Sequence, residues 1–451
     1  MIRYLCFPSF RADKMSRNMS LCIKSILFCC GLIVGFFLPT LPVLANDQAA
    51  MDQASSSHLS SQSWLDEINW HGFISQSFVA TDENEFLGSS TDGSFKANEA
   101  ALNASWRANQ SLQFSIQGIY KQIGNSKPKG TRLDYAIVDW RVVDTFSHGA
   151  GIRLGRLKNP YGFFNETRDV AATNTSILLP ESIYIDYLSQ LFHTSDSLGF
   201  YAHNELDDGT FSFTTQYGRP ILNDDITSTL VGGNQTGGDI SNERIALAKI
   251  GFEHGSGVWR TALSYIRFDG EFNRGATDPF YLQNGDITIQ QALLSFEFNW
   301  NKWQVITEMQ RRNSELKDVF SFSPDFYEKS LGYYLQLGYN VSPELKVYAR
   351  RDEVFRNKDD KHGREFAAGL QQLNAFFSAN MLPYRFESQF HTAFAKDTTL
   401  GFRYSPSFEW SFAMEVHFID GTFWLPNLEN PDLAKQQRYW NMFLAQVAYR
   451  F

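Results

Sequence analysis

Cysteine is nearly absent. The four in this 451-residue chain are Cys6, Cys22, Cys29 and Cys30, all close to the N-terminus. The rest of the chain therefore has no disulfide, thiolate nucleophile or Cys-ligated zinc. Beyond the N-terminal segment there is no run of ~20 apolar residues, which excludes a helical membrane span. Basic charge is not in excess: 40 Lys and Arg stand against 49 Asp and Glu, a net charge of −9. An acidic chain of this kind lacks the electrostatic footprint of a nucleic-acid binder. There is no His-x-x-x-His and no phosphate loop, so neither a metal nor a cofactor is assigned. Ser411 and His417 share a strand face but lie ~20 Å apart at strand rise. That is too far for a hydrolytic pair, and no enzyme activity is expected.

The N-terminus is a processing segment. Arg3, Arg11, Lys14, Arg17 and Lys24 make it basic, and Ile26 to Leu38 is apolar. Val43, Leu44 and Ala45 then offer a small-residue cleavage site. Residues 1–45 are read as a signal peptide cleaved near Ala45, with Met15 and Met19 open as alternative starts. Cys29 lacks the small residues a lipidation signal places before it. Removal would leave 35 Lys and Arg against 48 Asp and Glu, a net charge of −13. Residues 46–67 are polar and Ser-rich, a flexible periplasmic lead-in without heptads.

From residue 68 to 451 the pattern changes. Aromatics reach 15% of the chain, yet mean hydropathy is −0.30. Segments of ~10 residues alternate apolar and polar, the length of tilted membrane-crossing strands. Ala292, Leu294, Phe296, Phe298 and Trp300 form one clean apolar row, and Trp410, Phe412, Met414, Val416 and Phe418 another. Connections alternate by parity. The short ones fall at 108–111, 144–148, 205–209, 254–257, 301–302, 340–344 and 405–409. The long ones fall at 81–94, 122–132, 158–196, 218–242, 269–285, 313–330, 353–396 and 419–438. About sixteen antiparallel strands follow, with both ends on the short-turn side. In hydrocarbon every backbone N–H and C=O must be paired, so such a sheet has to close. The expectation is an all-β transmembrane β-barrel with short periplasmic turns and long extracellular loops. Trp70, Trp106, Trp140, Trp259, Trp300 and Trp303 cluster by the short turns, where an interfacial belt belongs.

Three segments carry a resemblance: His71-Gly72-Phe73, the stretch from Gly155 to Gly162 (GRLKNPYG), and the terminal Ala448-Tyr449-Arg450-Phe451. They resemble the bacterial porin superfamily of sixteen-stranded barrels, most nearly the porins related to phosphate-selective porins. The resemblance implies a homotrimeric channel whose third loop folds into the lumen. The ending with Tyr449 and Phe451 resembles the signature by which outer-membrane proteins engage the barrel assembly machinery. Lys158 is the only lysine between Ala150 and Arg244, so the lysine cluster that marks phosphate selectivity is missing.

The third long connection is the candidate constriction. It holds Arg168 and Asp169, then turns apolar through Ile177, Leu178, Ile183, Tyr184, Tyr187 and Leu188. Such a segment must pack, on the inner wall or on a neighbouring subunit. Arg141, Arg153, Arg156 and Lys158 precede it, and facing acidic loop residues they would bias ion passage. Parity also turns Glu308, Arg350, Asp352, Arg403 and Glu415 inward, away from lipid where a charge costs ~2–4 kcal/mol. Phe366, Leu370, Leu373 and Phe377 predict a short helix in the seventh long connection. The chain thus reads as an outer-membrane porin passing small hydrophilic solutes, with a preference for anions or carboxylates. The alternative is a plugged barrel serving as receptor, adhesin or scaffold.

Overall fold

A computed structural model describes residues 67–451 apart from 126–128, 186–188, 223 and 232–236. The signal segment 1–45 and lead-in residues 46–66 lie outside the described residues, as do Tyr187 and Leu188. The strands are β1 (Ile68–Thr81), β2 (Ser94–Arg107), β3 (Leu112–Ile123), β4 (Gly130–Asp144), β5 (His148–Lys158) and β6 (Thr194–Leu206). Next come β7 (Gly209–Pro220), β8 (Asp239–His254), β9 (Trp259–Asn273), β10 (Gly285–Trp300) and β11 (Trp303–Phe320). The last are β12 (Ser323–Asn340), β13 (Leu345–Phe355), β14 (Phe394–Tyr404), β15 (Trp410–Gly421) and β16 (Tyr439–Arg450).

These sixteen strands follow chain order around a closed barrel. The seam joins β1 to β16 antiparallel, from Phe73 opposite Arg450 to Thr81 opposite Met442. One further pair of backbone bonds, each 3.0 Å, ties Gly72 to Phe451.

The barrel is inside-out relative to a water-soluble sheet. On β10, Leu294 is 56% exposed while its neighbour Ser295 is 0% exposed. Burying a leucine is worth ~1.5–3 kcal/mol, so rows of bare Leu, Phe and Ile call for an apolar surround. At the short-turn ends Trp70, Trp140, Trp300 and Trp303 are exposed. Trp106 stacks on Phe114, and Trp410 packs on Tyr449 at 4.9 Å. An amphipathic ring with one wet edge suits that boundary.

The short and long connections sort by parity with one correction. Residues 313–330 are not a loop. β11 and β12 run on as an 18-residue pair joined only through Ser321 and Phe322. There the outward row becomes Arg311, Asn313, Glu315 and Lys317, which is polar and so reads as a loop. Ladder pairing continues regardless, because it needs backbone partners rather than an apolar face.

The long connections carry helices α1 (Ser189–His193), α2 (Asp224–Val231) and α3 (Arg364–Ala379). The expected helix around Phe366 to Phe377 is α3. Asp360 accepts hydrogen bonds from the N–H groups of Arg364 and Phe366, satisfying orphan donors of the first turn. Phe377 is buried against Tyr281, Phe322, Tyr384 and Phe386, with ring centroids 5.6–5.9 Å away for the last three. The first and last long connections are laced together: Asn84 to Gln437, Asn430 to Glu85, and Glu429 to Gly88.

Candidate pore constriction

The third long connection, 159–193, has too much apolar surface to stay in water. Leu178, Leu179, Ile183, Tyr184, Ile185 and Leu191 are all buried. Leu179, Ile183 and Tyr184 join a cluster with inward residues Ile266, Ile289, Leu293 and Ile306 of β9–β11. Leu178 and Ile185 join Val79, Val354, Ile419 and Met442 across the seam region. Val170 packs on Phe73, Ala101 and Ile119 of β1–β3. The connection therefore meets the inner wall in three sectors.

A chain lying against a wall brings polar backbone with it, and each group needs a partner. The wall supplies charged ones. Glu308 accepts from the N–H of Phe163 at 3.0 Å, from the hydroxyls of Tyr184 at 2.7 Å and Tyr334 at 2.9 Å, and from Ser295 at 2.6 Å. Asp352 accepts from the N–H of Ser182 at 3.2 Å. Glu415 accepts from the N–H groups of Ile177 and Leu178 and from the Tyr348 hydroxyl. Arg350 donates to the Leu178 carbonyl at 3.0 Å, and Arg403 to the Thr175 carbonyl at 3.1 Å. Buried charges persist when hydrogen-bonded this fully. Burial, with Glu308 alongside, pushes the Tyr184 hydroxyl well above its ordinary range, so it stays a donor.

The base of the connection is a second polar knot. The β3–β4 register shifts between Gln117 and Gly118, leaving Asp134 as a bulge residue. Its carboxylate turns inward, taking Gln117 at 2.7 Å and Lys158 at 2.8 Å. Lys158 Nζ also reaches Asp169 at 2.6 Å and His193 Nε2 at 2.6 Å. Lys121 adds a second ammonium 2.8 Å from Asp169. Burial would raise the Asp169 carboxyl, but His193, Lys121 and Lys158 outweigh it and hold it well below the usual carboxylate range. Asp134, Asp169 and His193 are close enough to share a metal ion. The two ammonium groups already fill and neutralise that cluster, so these residues do not fit a bound cation.

Solvent-accessible charge lies elsewhere, on the inner wall of β2–β9. Arg153 pairs with Asp139 at 2.9 Å and lies over the Tyr201 ring. Arg260 pairs with Glu297 at 2.6 Å and lies over Phe163 of the third connection. Both arginine side chains are 39% exposed, against 18% for Asp139 and 7% for Glu297. The cation therefore stands in front of its acid in both pairs. Lys249 reverses this order with Glu166, as Arg141 does with Asp144 at a short turn. Arg107 and Arg141 line a cavity of about 580 Å³ beside the first two short turns. Gly149 and Gly151 make room: the rings of His203 and Tyr201 lie where a Cβ would stand, flat against the wall.

Of the residues singled out from the sequence, Arg141 and Arg153 face inward, and Lys158 and Asp169 meet in the basal knot. Arg168 donates to the Tyr184 carbonyl at 3.3 Å within the connection itself. Arg156 requires correction. It alternates with exposed Leu154, so it occupies the outward row, where Asp196 holds it at 2.8 and 3.1 Å. Standing before the third connection in sequence did not decide its face; strand parity did. Arg260 and Lys249 were missed, although each shares an inward row with a small buried or polar residue. Asp134 and His193 were missed because a bulge and a loop end carry no parity.

No protein-family model matches the chain, and no curated protein matches it. Solved structures do. The outer-membrane protein OmpT of Vibrio cholerae is 14% identical, with 85% of this chain and 97% of that one covered and a TM-score of 0.51. The outer membrane channel DcaP of Acinetobacter baumannii is 12% identical over 85% and 97%, with a TM-score of 0.51. An anion-selective porin from Comamonas acidovorans is 11% identical over 85% and 99%, with a TM-score of 0.52. The chain has the closed sixteen-stranded barrel fold of bacterial outer-membrane porins and channels.

Proposed function

We propose that this protein is an outer-membrane porin that lets small hydrophilic solutes diffuse passively, with a preference for anions such as carboxylates. One observation carries the reading. Inside an inside-out barrel, Arg153 and Arg260 face the lumen and remain exposed in front of their acid partners. Water reaches that wall, and at these two pairs the charge it meets first is positive. The third connection packs along β9–β11, the seam region and β1–β3, and narrows what remains. Export through a signal peptide cleaved near Ala45, assembly through the Tyr449 and Phe451 ending, and a homotrimeric state belong to the same proposal. So does a lipid surround.

Planar-bilayer recording tests it. The full chain should form ohmic pores whose reversal potential in a salt gradient favours the anion. A unit charge at 4 Å is worth ~1 kcal/mol in water. Arg153→Glu and Arg260→Glu should therefore each lower the anion-to-cation permeability ratio several-fold. A correctly folded barrel that conducts at no voltage, and whose liposomes do not swell with small sugars, would overturn the reading in favour of a plugged receptor or scaffold.

A further inference from the structure

A patch on the inner wall of β2–β6 has a shape that anion preference alone does not require. The ladder register sets it out in rows. Arg107, Gln113, Asp139 and Arg153 lie side by side across β2–β5. Toward the short turns, Arg141, Gly151 and Tyr201 make the next row, and Gly149 and His203 the one below. Each lower row has a glycine on β5. No side chain stands under the neighbouring ring, so Tyr201 and His203 lie flat on the wall.

The two rings are used differently. His203 is exposed, with one ring face toward the lumen. Tyr201 is covered, because the Arg153 guanidinium lies 4.3 Å over its ring. Asp139 fixes that stack, accepting from Arg153 Nε at 2.9 Å and from the Tyr201 hydroxyl at 2.8 Å. The Arg153 side chain is 39% exposed, so its outer face stands open as a fixed, planar cation.

Net charge does not make this patch. Arg107, Arg141 and Arg153 are matched by Asp139, Asp144 and Glu205. Orientation makes it. Both Asp139 oxygens are occupied. Asp144 stands at the turn, 3.4 Å from Arg141, and Glu205 lies beyond His203 at the short-turn rim. Arg107 is exposed, and its guanidinium makes no hydrogen bond or ion pair among the described residues. It shares with Arg141 the cavity of about 580 Å³ described above.

We propose that this patch binds aromatic carboxylates and is the selective site of the channel. The solute's ring would stack on the open face of Arg153 with His203 flanking it, and its carboxylate would take the forked donors of Arg141 and Arg107. Successive rows on one face are ~7 Å apart, about the reach of a benzene ring and its carboxylate. An aliphatic carboxylate gains only the second contact, and a neutral arene only the first. The proposal rests on the channel reading above, because solute has to reach this wall.

The experiment is calorimetric titration of the full-length protein in detergent with benzoate, cyclohexanecarboxylate and benzamide. The second probe keeps the charge without the ring face, and the third keeps the ring without the charge. The wild type should bind benzoate about tenfold tighter than either, the size of one well-placed cation–π stack. Arg153→Lys keeps the charge but not the plane. It should lose the preference over cyclohexanecarboxylate and retain that over benzamide. Arg107→Gln with Arg141→Gln should do the reverse. Equal binding of benzoate and cyclohexanecarboxylate by the wild type, or an Arg153→Lys variant with the wild-type preference, overturns the proposal. Heat-modifiable mobility confirms that each variant is folded. Chloride conductance in bilayers is read separately. Chloride current without a benzoate preference removes this site alone, whereas benzoate binding without current removes the channel reading.

Discussion

Glu429 shows how one side chain sets the behaviour of the outer loops. One of its oxygens accepts from the N–H groups of Gly88 and Asn125, both at 2.8 Å, so it clasps three long connections. The other oxygen is buried without a partner. Burial raises its pKa above the ordinary glutamate value, and these backbone donors offset this only in part. A raised carboxyl favours the folded clasp below the ordinary pKa and loses that benefit as pH rises through the raised value. Limited proteolysis of the last long connection should thus be slower at pH 4 than at pH 8. In Glu429→Gln the pH dependence should vanish and the clasp should tighten by about 1 kcal/mol at pH 8. Gly151→Val makes a second check on single residues. It would push the Tyr201 ring off the wall into the lumen, and single-channel conductance should fall; unchanged conductance would move the path to another wall. At this scale the sequence was legible where parity ruled. Arg141, Arg153, Glu308 and Glu415 face inward as alternation requires. Arg156 obeyed the same rule and was misplaced by position along the chain. Asp134 depends on a bulge, which alternation cannot show.

Among the elements, the third connection has the most at stake. Its backbone is held by acids and arginines of β11, β13, β14 and β15, so it behaves as part of the wall. Removing one anchor leaves several donors without an acceptor, at ~1–3 kcal/mol for each that stays buried. Glu308→Ala should free the segment around Phe163 and Tyr184, seen as new protease cuts there and as noisier open-channel current. A quiet, uncut variant would mean that the apolar contacts alone suffice. The basal knot gives a pH test of opposite sign to Glu429. The Asp169 carboxyl is depressed, so its contribution is present above the ordinary aspartate pKa and lost as pH falls through the lower, folded value. Protease resistance of 163–175 should persist through pH 4 and fail only in stronger acid; in Asp169→Asn it should be weakened at neutral pH. Strands and their turns were readable because ladder geometry writes a period of two into the chain. The extended β11–β12 pair was not, because its outward row leaves the apolar band while its ladder continues. The helix α3 was readable, since its apolar residues keep a helical period.

For the whole molecule, closure is the governing fact. Ser77 and Gln446 touch across the seam although 369 residues separate them. Loop-closure cost grows only slowly with length, but contacts this distant form late. Truncation before Tyr439 should abolish the heat-modifiable form altogether, and Phe451→Ala should slow its appearance without changing the final conductance. A truncated chain that still migrates as a compact, heat-modifiable species would refute the seam's role. The barrel itself was legible from loop parity alone, because only a spanning, closed sheet sorts its connections that way.

The seam also sets an order in time. β16, the strand that shuts the barrel, follows the other fifteen in the chain and is therefore made after them. Until it arrives, β1 keeps an unpaired edge, and the apolar rows have no closed sheet to belong to. Until then the chain is an open, sticky polymer. Its surplus of negative charge then acts before the fold exists, as mutual repulsion that delays clumping. The protein's most dangerous interval is the one that ends when Phe451 meets Gly72.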